Sequence, residues 1–121
     1  MIYDQLPVFK TAYDMLLQVF NCCRNMQRDY RYTLAEKLKN ETIELLICIY
    51  NANKSQDKLA YIEKAQEHLV VVKIQIRLLN DLKQISLRRY AAYAESVASI
   101  SKQLTAWHAY IEKKYEKTKT V

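Results

Sequence analysis

Apolar residues recur along this chain at steps of three and four, the spacing that places side chains on one face of an α-helix. Val8, Ala12, Met15, Val19, Cys22 and Met26 keep that step and predict a first helix over about 7–26. Leu16, Phe20 and Cys23 widen its face, and Pro7 suits its first turn, where the missing amide hydrogen would have no partner anyway. Leu34, Leu38, Thr42, Leu45, Ile49 and Ala52 predict a second helix over about 31–52, with Ile43, Leu46, Ile47 and Cys48 as further apolar surface. Ile62, Ala65, Leu69, Val72, Ile76 and Leu79 predict a third over about 57–83, with Ser55 or Asp57 as its N-cap. Tyr93, Val97, Ile100, Leu104, Trp107 and Ile111 predict a fourth over about 87–117, capped by Ser86. The closing KKYEKTKTV reads as a frayed tail. Helices of this length joined by a few residues must run antiparallel to their neighbours. The expectation is one all-α domain over 1–121, an antiparallel up-and-down four-helix bundle.

The third helix is more apolar than such a bundle requires. Residues 69–79 read LVVVKIQIRLL, with eight apolar side chains. Val70, Val71, Ile74 and Leu78 lie outside the seam. At 100° per residue Gln66, Arg77, Asn80 and Gln84 fall within about 40° of Lys73, so the polar stripe is narrow. Either this helix is the best covered of the four or its outer face packs on a second subunit. No helix of a four-helix bundle is fully enclosed, so a homo-oligomer is the favoured expectation.

Composition agrees. The chain has no glycine and one proline, which disfavours the tight turns that sheets and many α/β loops need. It also excludes phosphate-binding and dinucleotide-binding glycine motifs. No run reaches the roughly 18 apolar residues of a membrane span, so no membrane partner is expected. The N-terminus shows no basic region followed by an apolar stretch. Three cysteines, two of them adjacent, do not make a disulfide framework. They read as small buried apolar residues in a cytoplasmic protein.

The net charge is +6, and such a balance favours anionic partners, nucleic acid first. Lys73 and Arg77 stand one turn apart on the narrow polar stripe, where like charges repel unless a phosphate or carboxylate compensates them. Asp81 could answer Arg77 locally. Arg88 and Arg89 open the fourth helix, an unfavourable place for cations, and with Lys83 they form a basic cluster. Lys102 is isolated on the fourth helix. Lys113, Lys114, Lys117 and Lys119 interleave with Glu112 and Glu116 and rank lower. Arg28 and Arg31 flank Tyr30 and Tyr32, the better stacking candidates among ten tyrosines. The remaining tyrosines read mostly as core or interface. His68 and His108 lie on different helices without a carboxylate–histidine spacing, so neither a catalytic residue, a metal site nor a cofactor is expected, and the protein reads as a binding module.

Five short pieces carry a family likeness. They are Tyr13-Asp14 with Leu16; Arg31-x-Thr33-Leu34 with Leu38; Lys73-x-x-x-Arg77-Leu78-Leu79 with Asp81-Leu82; Ile85-Ser86 with Tyr90; and Gln103-Leu104-x-x-Trp107. In this order and spacing the chain, from about Leu6 to Tyr110, resembles the accessory variability determinant family of diversity-generating retroelements. That family is distantly related to the bundle proteins of 23S ribosomal RNA intervening sequences. A proline common before the second helix is absent between Met26 and Tyr30. Thr105-Ala106 stands where a glycine is usual. The resemblance implies a homopentameric barrel that binds the retroelement reverse transcriptase, and RNA or DNA without strong sequence preference, through a basic surface. It places the family's basic positions late in the third helix on Lys73 and Arg77. The alternatives are an intervening-sequence-type protein without a polymerase partner, and a purely structural oligomer.

Overall fold

The computed structural model describes residues 2–119. After a single 3-10 turn at Tyr3–Gln5 come α1 (Pro7–Cys23), the one-turn α2 (Arg28–Arg31), α3 (Leu34–Lys54), α4 (Lys58–Asp81) and α5 (Leu87–Lys119). Among the described residues there is no strand. α1 packs on α3 and α5, and α4 packs on α3 and α5. The four long helices therefore enclose one core in the cyclic order α1, α3, α4, α5, with α1 and α4 across a diagonal.

The seams read from the sequence face this core. Ile62, Ala65, Leu69, Val72, Ile76 and Leu79 of α4 are all buried, as are Val8, Ala12, Met15, Val19, Cys22 and Met26 of the first segment. Tyr93, Val97, Ile100, Leu104 and Ile111 bury the inner stripe of α5, while Trp107 of α5 and Leu34 of α3 are half-buried against the core. Among the described residues Thr42 is the one fully buried polar residue of the core, and its hydroxyl donates to the Leu38 carbonyl at 2.7 Å. That bond to the preceding turn is how a threonine enters a dry helix interface without an orphaned hydroxyl.

The helix ends differ from expectation in several places. α1 stops at Cys23, where Asn25 and Met26 donate to the carbonyls of Cys22 and Cys23 in a tightened last turn. The second long helix begins at Leu34 rather than Arg31. The Thr33 hydroxyl closes the α2 turn on the Asp29 carbonyl at 2.8 Å, and its own backbone leaves helical angles, so the register restarts. Neither Ser55 nor Asp57 caps α4 through its side chain. Ser55 Oγ accepts the Asp57 amide at 3.0 Å. Lys58 instead caps α3, donating from Nζ to the carbonyls of Ala52 and Asn53 at 3.0 and 2.7 Å. A cation there answers the partial negative charge of a helix C-terminus. Burial, with Lys114 adding to it, holds the Lys58 pKa below its ordinary value.

The α4–α5 connection ends α4 with a left-handed residue in a chain without glycine. Lys83 has φ 60°. Its amide donates to Asn80 and that of Gln84 donates to Leu79, the paired bonds of a Schellman ending. Ser86 then caps α5, its Oγ accepting the Arg89 amide at 3.1 Å. α5 spans 33 residues against 17 in α1. The stretch expected to fray is thus helical to Lys119, with Thr120 and Val121 outside the described residues.

Candidate nucleic-acid and partner interface

Gln84 ties the two connections at one end of the bundle together. Its Oε1 accepts the Gln27 amide at 3.2 Å, and its Nε2 donates to the Leu82 carbonyl at 3.2 Å. Arg28 and Arg31 of α2 are thereby brought to the same end as Lys83, Arg88 and Arg89, although more than 50 residues separate the two groups in sequence. Arg24, which the sequence reading passed over, joins them because it follows directly on the last residue of α1. Arg24, Arg28, Lys83 and Arg88 are exposed. Arg31 is half-buried, with its guanidinium carbon 5.8 Å from the centre of the Tyr32 ring and its Nε without a hydrogen-bond partner. Asp29 and Asp81 are the acidic residues on these same segments. The end of the bundle is therefore a basic rim, with exposed Tyr32 beside it.

Arg77 faces Asp81 one turn later, at 3.9 Å, with both side chains mostly exposed. A long, solvated pair of this kind contributes little and leaves the guanidinium accessible. Lys73 and Lys102 stand apart from the rim. They line a groove of about 590 Å³ between the middles of α4 and α5. Gln66 and Lys73 of the polar stripe thus turn toward α5, Val70 stands on the groove wall at 55% exposure, and the outward face carries Ile74 and Leu78, exposed at 62 and 41%. Within the isolated chain the other three helices leave this face uncovered.

Both histidines have carboxylate partners contributed by other helices. His68 Nδ1 lies 2.7 Å from Glu41 Oε2, joining α4 to α3. His108 Nε2 lies 3.1 Å from Glu63, joining α5 to α4, and its Nδ1 lies 3.4 Å from Glu112. The sequence reading missed these pairs because the partners stand 27 and 45 residues away. They are interhelical clamps. Among the described residues no group of three or more His, Cys, Asp or Glu side chains is arranged so that it could hold a metal ion.

Cys22, Cys23 and Cys48 are free and buried. Burial pushes the Cys23 thiol up to about 11 and also raises Cys48. Thiols kept protonated in this way are poor nucleophiles. Among the described residues Tyr93 is the one tyrosine fully buried in the core, and Tyr61 and Tyr90 pack against it. The Tyr93 hydroxyl donates to the Gln18 carbonyl at 3.0 Å, and burial raises its pKa well above the usual phenol range. Tyr3, Tyr13, Tyr32, Tyr50, Tyr110 and Tyr115 are exposed.

No described helix is long and apolar enough to cross a membrane. No curated protein matches the chain. The family model described as bAvd-like matches residues 6–111, a span that includes the basic rim, the groove and both histidine clamps.

Proposed function

The chain belongs to the bAvd-like family, named for the Bordetella accessory variability determinant, and on that premise we propose that it is a non-catalytic accessory protein of a diversity-generating retroelement. In this reading it binds the reverse transcriptase and the template RNA or its cDNA, and supports mutagenic copying as a cytoplasmic homo-oligomer, a pentamer by family resemblance. The observation that carries the nucleic-acid part is the convergence of Arg28, Arg31, Lys83, Arg88 and Arg89 on one end through the Gln27–Gln84 bond. Cations on three separate segments, at one solvated rim, suit a phosphate backbone better than any single small anion. Arg77, one turn from the end of α4, extends that rim, and Tyr32 offers a stacking face.

Contacts of this kind are electrostatic and largely sequence-independent. Affinity should fall steeply between low and physiological salt, with a slope of about −0.7 per phosphate contact on a single strand. Filter binding of single-stranded RNA and DNA across a salt series tests this. Arg28→Ala/Arg31→Ala/Arg88→Ala/Arg89→Ala should flatten the slope by roughly 3. An unchanged slope would remove the rim from any nucleic-acid site. Co-purification with a diversity-generating retroelement reverse transcriptase tests the polymerase partner. Binding of RNA without polymerase capture would favour the intervening-sequence type of protein instead.

A further inference from the structure

The groove between α4 and α5 has a counterpart on the other side of the same molecule. Its α5 wall is low, built from Ala94, Ala98 and Ser101, and its α4 wall carries Val70. Lys73 and Lys102 are its two cations, no carboxylate lines it, and among the described residues neither lysine has an ion-pair partner within 4 Å. Exposed Ile74 and Leu78 extend the apolar surface along α4.

The opposite side, formed by α1 and α3, presents an aromatic ridge. Tyr3 packs edge-on against both Phe9 and Tyr50, with ring centres 5.1 and 5.0 Å apart, and Phe9 stacks with Tyr13 at 6.1 Å. Tyr13, Leu17 and Phe20 continue the ridge at helical spacing, exposed at 47, 50 and 44%. A cleft of about 310 Å³ opens in it, lined by Tyr3, Phe9 and Tyr13 together with Asp4, Asp14 and Lys10. Two carboxylates and three aromatic rings against one lysine make a receptor for an incoming ammonium group, through ion pairing and cation–π attraction.

We propose that the α4–α5 groove of one copy takes the α1 ridge of a second copy, with Lys73 and Lys102 directed to the Asp4–Asp14 aromatic cleft. Three observations support this occupant. The charges are complementary and belong to the same chain. The ridge from Tyr13 to Phe20 rises about 10 Å, within the roughly 15 Å that the groove spans along α4 from Gln66 to Ile76. The two surfaces are different and lie on opposite sides of the bundle, so the contact is head-to-tail. A heterologous contact of this kind builds a ring when its rotation closes, and a lone isologous dimer cannot satisfy both faces. The inference rests on the homo-oligomer reading above and adds its surfaces, leaving the basic rim of each subunit free.

The test is a charge exchange read by light scattering after size exclusion, with circular dichroism as the control for folding. Wild-type protein should run as an oligomer. Lys73→Glu/Lys102→Glu should shift it to the 14.4 kDa monomer, and so should Asp4→Lys/Asp14→Lys. All four changes in one chain should restore the oligomer, because the exchanged faces match again. A monomeric wild type would overturn the oligomer reading itself. An assembled wild type whose mass neither exchange alters would overturn only the interface. Folded monomers that the fourfold exchange does not rescue would overturn the Lys–Asp pairing. Loss of polymerase capture by Lys73→Glu/Lys102→Glu at unchanged mass would give the groove to that partner instead.

Discussion

The two flanks of α4 have nearly the same hydropathy and opposite fates. On one flank Val72, Ile76 and Leu79 are at most 2% exposed. On the other, Val70, Ile74 and Leu78 stand in solvent on the isolated chain. Apolar content therefore measures only how much surface a helix has to cover. Which residues are covered within the chain depends on where the neighbouring helices lie, and the remainder records surface available to a partner.

The sharpest way to break this contrast is truncation on each flank. Ile76→Ala should lose about 3 kcal/mol of stability in urea denaturation, from lost transfer energy and an unfilled cavity. Ile74→Ala, on the same helix, should change monomer stability by less than about 0.5 kcal/mol. If Ile74 proved as costly as Ile76 in the monomer, the two flanks would not differ as described.

Alkaline pH attacks the closed side alone. The Cys23 pKa is raised to about 11 in the folded chain, against 9.0 for a free thiol, chiefly by burial. Because the folded value is the higher one, its contribution is complete below about pH 9 and is lost as the pH rises toward 11. The loss from this thiol should be on the order of 2 kcal/mol. Cys48 and Tyr93 are shifted in the same direction. Urea midpoints should therefore be flat from neutral pH to about 9 and fall above it, and Cys23→Ala should reduce that fall.

A smaller effect, of opposite sign, is expected at the basic end. Lys83→Gly removes a side chain from left-handed backbone and should stabilise the chain by about 1 kcal/mol. A rise in melting temperature of a few degrees would show it. The same change removes one rim charge, so the salt slope for nucleic acid should flatten slightly. The smallest effect should come from Arg77→Ala, whose long pair with Asp81 contributes well under 1 kcal/mol to stability.

Much of the fold was legible because the signal was periodic. Steps of three and four recurred through four segments, and the side chains they selected are the ones that meet in the core. The ends of the segments were less legible, since Thr33 and Lys58 act through backbone carbonyls that no spacing rule selects. The candidate site was legible as residue types and illegible as an arrangement. Arg28 and Arg88 read as two clusters until Gln84 bonded the Gln27 amide. Lys73 and Arg77 read as one pair, yet Lys73 lines the groove while Arg77 turns to Asp81.

By itself, then, the sequence determined four amphipathic helices, a glycine-free set of connections, an excess of apolar surface on α4 and a surplus of positive charge. These are properties of single residues and of their spacing, and any packing of the chain would inherit them. Only the tertiary structure decided that α1 and α4 lie on a diagonal, that the aromatic ridge and the lysine groove occupy opposite sides, and that distant arginines share one rim. Those are relations between segments, set by which helix faces bury the most apolar surface against one another, and no local pattern carries them.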